Sequence, residues 1–67
     1  MIGDLICSYR DEKNMTQEEL ALKACIGKEY LIKIESNEIQ ASPHTLLSLS
    51  GALDIPIATL EERLNNQ

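Results

Sequence analysis

The chain has 67 residues, a length that predicts one domain spanning residues 1–67. Its two cysteines are too few for a disulfide framework, no His/Cys spacing resembles a zinc site, and its apolar runs are too short to span a membrane. Eleven acidic residues against six basic ones give a net charge of -5. That balance is unusual for a protein that contacts phosphates, but it does not exclude one, because the local charge at an interface decides.

The first predicted helix covers roughly Ile2 to Lys13. Its apolar residues recur at three- and four-residue steps and so share one face: Ile2, Leu5, Ile6 and Tyr9. Asn14 follows this helix and can adopt the left-handed conformation that ends many helices.

A capping box opens the second predicted helix. The hydroxyl of Thr16 can accept the backbone N–H of Glu19, and the carboxylate of Glu19 can reach back to the N–H of Thr16. The inward stripe of this helix is Leu20, Ala21 and Ala24. Residues 25–27 interrupt it, and a third helix is predicted from about Lys28 to Glu35, with Leu31 and Ile34 facing the core.

Ser42 and Pro43 mark the start of a fourth helix, as N-cap and first helical residue. Its core residues are Leu46, Leu49 and Leu53, with Leu47 on the flank. A short fifth helix is predicted to begin at Asp54 to Pro56 and carries Ile57, Leu60 and Leu64. No period-two alternation indicates a strand, so the predicted fold is all-α.

The run T-Q-E-E-L-A-L-K-A-C-I-G-K-E-Y-L-I-K-I-E at residues 16–35 resembles the helix-turn-helix of the Cro/cI repressor family, also called XRE. The flanking I-G-D-L-I-C-S-Y-R-D-E-K and S-P-H-T-L-L-S-L-S-G-A-L-D-I match that family's outer helices, so the resemblance covers nearly the whole chain. Within the family the pattern looks closest to the DNA-binding domains of SinR-type Bacillus regulators. The resemblance implies a compact five-helix, lambda-repressor-like bundle containing a helix-turn-helix.

The resemblance also implies how DNA would be read. In such folds the third helix enters the major groove, where Lys28 could donate to guanine and Glu29 could accept from cytosine N4. Gln17, at the start of the second helix, would hold a backbone phosphate. The DNA-contact candidates are Thr16, Gln17, Lys28, Glu29, Tyr30, Lys33, Ser36, Asn37 and Gln40.

Two further residue roles follow from the family pattern. Arg10 and Glu35 are expected to form a partly buried ion pair that ties the first helix to the third, and neither is counted as a DNA contact. The family usually has glycine where Cys25 stands, because the turn needs a left-handed backbone, and a non-glycine residue there costs about 1 kcal/mol.

No nucleophile–base pair, metal cluster or phosphate-cradling glycine loop is recognisable, so no enzymatic activity, metal or cofactor is predicted. The leading hypothesis is a cytoplasmic transcriptional regulator, a repressor by preference, that binds double-stranded DNA as a homodimer. Its dimer contact is predicted at Ile57, Leu60 and Leu64, whose apolar surface exceeds what a small core can absorb.

The alternative keeps the fold and changes the partner. The segment from Ile26 to Thr45 contains two lysines and three glutamates. If Glu35 is buried, the presumed DNA-binding surface is close to neutral. A protein-interaction module or antirepressor, able to form a heterodimer with a related regulator, would have such a face.

Overall fold

The computed structural model describes residues 2–60, and all regular secondary structure in that range is helical. The helices are α1 (Ile2–Glu12), α2 (Gln17–Ala24), α3 (Lys28–Glu35) and α4 (Pro43–Leu53), and residues 57–60 are helical as well. The all-α prediction is confirmed, and α3 has the bounds that the sequence predicts. Leu64 lies outside the described residues. Among residues 2–60 no helix is long and apolar enough to cross a membrane.

The start signals of α2 and α4 act as predicted. Thr16 Oγ1 accepts the Glu19 N–H at 3.0 Å, and the Thr16 N–H donates to Glu19 Oε1 at 2.9 Å, which completes the capping box. At α4 the Ser42 hydroxyl accepts the Thr45 N–H at 3.2 Å, and Pro43 is the first helical residue. These caps fix where each helix begins.

The chain turns after each bounded helix at a residue with left-handed backbone geometry. The residues with positive φ in the described range are Asn14 (56°), Cys25 (59°), Asn37 (65°) and Asp54 (59°), and none is a glycine. The predicted left-handed conformations of Asn14 and Cys25 are confirmed. At Cys25 the backbone N–H donates to carbonyls of the last turn of α2, so the helix is closed without a glycine.

The core is one cluster to which every helix contributes. Its buried apolar members are Ile2, Ile6, Leu20, Ala21, Ala24, Leu31, Ile34, Leu46, Leu49, Leu53 and Leu60. The predicted core faces are therefore confirmed.

Leu60 requires a correction. Its side chain has no exposed surface, so it fills the core of the single chain and is not available to a second copy. Ile57 is half-buried and packs against the same cluster. The small core absorbs more of this segment than the composition suggested, which removes the reason for placing a dimer contact at Leu60.

Close packing of α1 against the end of α3 depends on Gly3. A Cβ at Gly3 would lie 2.5 Å from Asn37 Oδ1 and 2.8 Å from the Glu35 carbonyl oxygen, both too close for real atoms. The Gly3 N–H donates to Asn37 Oδ1 at 3.1 Å, and Asn37 Nδ2 donates to Asp4 Oδ1 at 3.3 Å. Asn37 thus clamps the first turn of α1 at a point where only glycine fits.

We expect Gly3→Ala to destabilise the fold by about 1–3 kcal/mol, because the added methyl group forces the backbone of α1 away from the backbone at the end of α3. Gly51→Ala is the matched control, since a Cβ there meets nothing within 4 Å. Alanine in a helix interior should stabilise by about 0.5–1 kcal/mol. Thermal unfolding of both variants measures the difference, and equal melting temperatures would contradict the close approach at Gly3.

Candidate nucleic-acid interface

A buried ion pair joins α1 to α3. Arg10 Nε donates to Glu35 Oε2 at 2.9 Å and Arg10 Nη2 donates to Glu35 Oε1 at 3.3 Å, a two-point contact. The side chains are 13% and 5% exposed, respectively. Hydrogen bonding to Glu35 raises the pKa of Arg10 above its ordinary value, so the guanidinium stays charged. The structure therefore contains the ion pair that the family resemblance implied.

The same guanidinium also holds the segment that leads into α2. Arg10 Nη1 donates to the Met15 carbonyl oxygen at 2.7 Å. Gln17 Nε2, at the first residue of α2, donates to Glu35 Oε1 at 3.1 Å. One ion pair therefore fixes α1, the start of α2 and the end of α3 relative to one another.

This contact orients the amide of Gln17, which sequence reasoning did not foresee. An ionised carboxylate only accepts hydrogen bonds, so the Gln17 nitrogen, not its oxygen, must face Glu35. A primary amide has two N–H groups, and one of them remains for another acceptor. Gln17 keeps the position predicted for a phosphate contact, at the first residue of α2, with its side chain held by α3.

Cys7 lies beside this ion pair, and its thiol is not activated. Burial, and secondarily the charge of Glu35, raises the pKa of Cys7. Arg10 Nη2 approaches its Sγ at 3.5 Å, but this does not reverse the shift. A raised pKa keeps the group a protonated thiol at neutral pH.

The exposed side of α3 gathers four of its residues on one face. Lys28, Glu29, Ile32 and Lys33 are all exposed, whereas Leu31 and Ile34 are buried on the opposite side. The three- and four-residue spacing places the exposed set within one surface of the helix. The structure thus places Lys28, Glu29 and Lys33 on the exposed side of α3, and their contacts with DNA stay predictions.

Other candidates are engaged within the protein. The Tyr30 hydroxyl lies 3.3 Å from Thr45 Oγ1, which ties α3 to α4. Ser36 Oγ donates to Glu38 Oε2 at 3.0 Å and to the Lys33 carbonyl at 3.1 Å. Asn37 holds the first turn of α1, and the Thr16 hydroxyl caps α2. Each of these four has a structural role, and their DNA contacts stay predictions, as does that of the exposed Gln40.

The charge of this surface is balanced. Lys28 and Lys33 are exposed, and so are Glu29 and Glu38. The exposed charges of α3 and of the loop that follows it are thus two positive and two negative. Within residues 2–60 no group of three or more His, Cys, Asp or Glu side chains is placed to hold a metal ion.

We expect Arg10→Ala to lower the free energy of unfolding by about 3 kcal/mol, because it leaves Glu35 as a buried, unpaired carboxylate. Lys13→Ala is the control, since Lys13 is an exposed cation just beyond the same helix. Urea unfolding of both variants measures the effect. A loss for Arg10→Ala no larger than for Lys13→Ala would contradict the structural importance of the pair.

The sequence matches the model of a known protein family. A family model described as helix-turn-helix matches residues 8–60, which include α2, α3 and α4. The match therefore covers most of the chain.

Among known proteins, the chain is similar to the HTH-type transcriptional regulator SinR of Bacillus subtilis (strain 168), with 44% identity over 62 residues, covering 90% of this chain and 55% of SinR. It is also similar to the immunity repressor protein of Bacillus phage phi105, with 36% identity over 59 residues, 88% of this chain and 41% of that protein. The chain spans about half the length of the curated relatives it matches.

Solved structures of SinR have the same fold. One is a crystal structure of SinR, the master regulator for biofilm formation, in complex with DNA; it has a TM-score of 0.85 and 43% identity, covering 90% of this chain and 97% of that one. Another, of the SinR/SinI protein complex, has a TM-score of 0.85 and 43% identity, covering 90% and 59%.

Proposed function

The chain belongs to the helix-turn-helix family of the Cro/cI (XRE) type, and we propose that it is a transcriptional regulator that binds duplex DNA. The observation that carries this proposal is the likeness, in fold and sequence, to SinR in its complex with DNA. The family is a class of transcription regulators and not of enzymes. We propose a repressor, since one of the relatives is an immunity repressor protein, and we propose that it acts in the cytoplasm.

In this proposal α3 reads bases and α2 positions the domain. The exposed face of α3 enters the major groove, where Lys28 donates to guanine O6 or N7 and Glu29 accepts from cytosine N4. The N-terminus of α2 approaches a phosphate, to which Gln17 donates the amide N–H that Glu35 does not use. The ion pair supports both roles, because it sets the start of α2 against the end of α3.

Two copies are needed for a specific site. A single domain of this size contacts one half-site, and two half-sites lie one helical turn, roughly 34 Å, apart in such complexes. We therefore propose a homodimer on a palindromic operator. About half of the length of these relatives lies outside the region of similarity, so the proposed homodimer concerns this domain alone.

The first test is selection from a randomised duplex pool, followed by fluorescence anisotropy at low and moderate salt. We expect enrichment of a palindromic site, with affinity at least about tenfold lower in Lys28→Ala/Lys33→Ala, because base-edge contacts contribute about 1–3 kcal/mol each. Lys13→Ala/Lys23→Ala is the control with the same change in charge at exposed positions outside α3. Equal losses in the two double variants would argue against α3 as the reading helix.

The acidic residues beside α3 give a second prediction. Glu29→Gln/Glu38→Gln should raise the affinity for random duplex roughly threefold and steepen its salt dependence, because two carboxylates no longer repel phosphates. Glu12→Gln/Asp54→Asn removes the same charge from exposed positions outside α3 and should change affinity less. Anisotropy titrations between about 50 and 200 mM salt compare the slopes. An unchanged slope of affinity against salt concentration in Glu29→Gln/Glu38→Gln would place these glutamates away from the DNA.

The balanced charge of the α3 surface favours one second candidate, a module that binds a partner regulator through the same fold. SinR itself has been solved in complex with SinI, so this fold occurs in a protein with a protein partner. An antirepressor of this kind would form a heterodimer with a related regulator. A folded protein that binds no duplex even at low salt would favour this candidate over DNA binding.

A further inference from the structure

The exposed side of α3 carries one apolar side chain among its charged ones. The exposed residues of this helix are Lys28, Glu29, Ile32 and Lys33. Ile32 has 37% of its surface exposed, and it belongs neither to the buried core cluster nor to the partly buried residues that pack against that cluster. Its side chain is therefore available to whatever molecule this side of α3 contacts.

The position of Ile32 on the helix places it beside the two residues proposed to read bases. It follows Lys28 by four residues and Glu29 by three, the two spacings at which side chains are neighbours on a helix surface. A molecule that contacts Lys28 and Glu29 together must also cover Ile32. In the proposed function, on which this inference rests, that molecule is the major-groove edge of duplex DNA.

The polar side chains of α3 provide no specific contact for an A·T pair. Lysine donors match the O6 and N7 acceptors of guanine, and a glutamate accepts from cytosine N4. The side chains that read adenine with two hydrogen bonds are asparagine and glutamine, and the α3 sequence, K-E-Y-L-I-K-I-E, contains neither. Selection of an A·T pair by this helix therefore needs a contact of another kind.

The major groove offers one apolar group, the C5-methyl of thymine. The Ile32 side chain can neither donate nor accept a hydrogen bond. Against a polar base edge it would displace water and leave a donor or acceptor unpaired, which is unfavourable. Against the thymine methyl it buries apolar surface on both sides, which is favourable. One side chain thus favours thymine and disfavours the other bases at the same position.

The side chain of Ile32 is also held in place before any contact forms. A β-branched residue in a helix has one strongly preferred χ1 rotamer, so little freedom is lost when it is covered. The carbonyl oxygen of Ile32 accepts the Ser36 N–H at 3.0 Å, and Glu35, three residues further on, is bound by Arg10. This segment of α3 is therefore fixed relative to the rest of the domain.

We propose that Ile32 is a specificity-determining residue that selects a thymine through its methyl group. Four residues of an α-helix rise about 6 Å, and successive bases of one DNA strand are about 3.4 Å apart. The selected thymine therefore lies about two base pairs from the guanine that Lys28 contacts. On a palindromic operator the same thymine occurs once in each half-site.

The test removes thymine methyl groups one at a time. The operator obtained from the randomised duplex pool is synthesised with deoxyuridine in place of each thymidine in turn, which deletes the methyl and keeps every hydrogen-bonding group. Fluorescence anisotropy measures the affinity of the 67-residue chain for each duplex. We expect a loss of about fourfold at one position of a half-site, the value of one buried methyl group. Selection with Lys28→Ala locates the guanine from which the distance is counted.

Three variants assign the methyl contact to Ile32. In Ile32→Ala the truncated side chain no longer reaches the base, so deoxyuridine at that position should cause no further loss. Ile32→Val keeps the branched Cβ and should retain most of the sensitivity. Leu22→Ala truncates a more exposed apolar residue on α2 and should keep the full fourfold loss. Thermal unfolding checks that each variant is folded, which is expected because both positions are exposed.

The outcomes separate the role of Ile32 from DNA binding itself. A deoxyuridine loss that persists in Ile32→Ala, or a selected operator with no methyl-sensitive thymine within about two base pairs of the guanine, would overturn the role of Ile32 while binding through α3 stands. Absence of binding to every duplex at low salt would overturn the proposed function, and the thymine contact with it. A loss present in Leu22→Ala and absent in Ile32→Ala would support both.

Discussion

The Arg10–Glu35 ion pair is the contact on which the arrangement of the helix-turn-helix depends. The buried carboxylate is tolerated because both of its oxygens accept hydrogen bonds: two nitrogens of Arg10 and the amide of Gln17 all donate to it. Those donors belong to α1 and α2, while Glu35 ends α3. A small core with few aromatic side chains orients helices weakly, since apolar contacts have no direction. The directional hydrogen bonds of the ion pair therefore fix the relative orientation of these helices.

Much of the fold could be predicted because local chemistry determined it. Thr16 and Ser42 cap the helices that follow them, and the apolar period of α3 placed Leu31 and Ile34 in the core. These signals act within a few residues of one another, so a single sequence is sufficient to read them. The Arg10–Glu35 pair spans 25 residues and was accessible through family resemblance alone.

The parts that could not be predicted depend on contacts between distant segments. The sequence predicts Asn37 as a loop residue that could contact a phosphate. In the structure its side-chain amide instead accepts a hydrogen bond from the Gly3 N–H and donates one to Asp4 Oδ1. The sequence pattern suggests that the Leu60 side chain is left over from the core. Whether the core has room for it depends on how the four preceding helices pack. The bond from Gln17 to Glu35 likewise has no periodic spacing that would indicate it. The position of a candidate site on a helix is therefore predictable, whereas the internal bonds that occupy its side chains are not.

The left-handed residues that close the helices also govern which sequences this fold can accept. Asn and Asp, present at three of the four positive-φ positions, are the side chains that adopt this conformation at least cost. Cys25 is the exception, and it stands in the turn between α2 and α3. Valine or isoleucine would be excluded from all four positions by their branched Cβ, however well their hydrophobicity suited the surroundings. As related sequences diverge, these turns should therefore vary within a narrow set of residue types while the exposed side chains of α3 change freely, so that one scaffold can carry many different α3 surfaces.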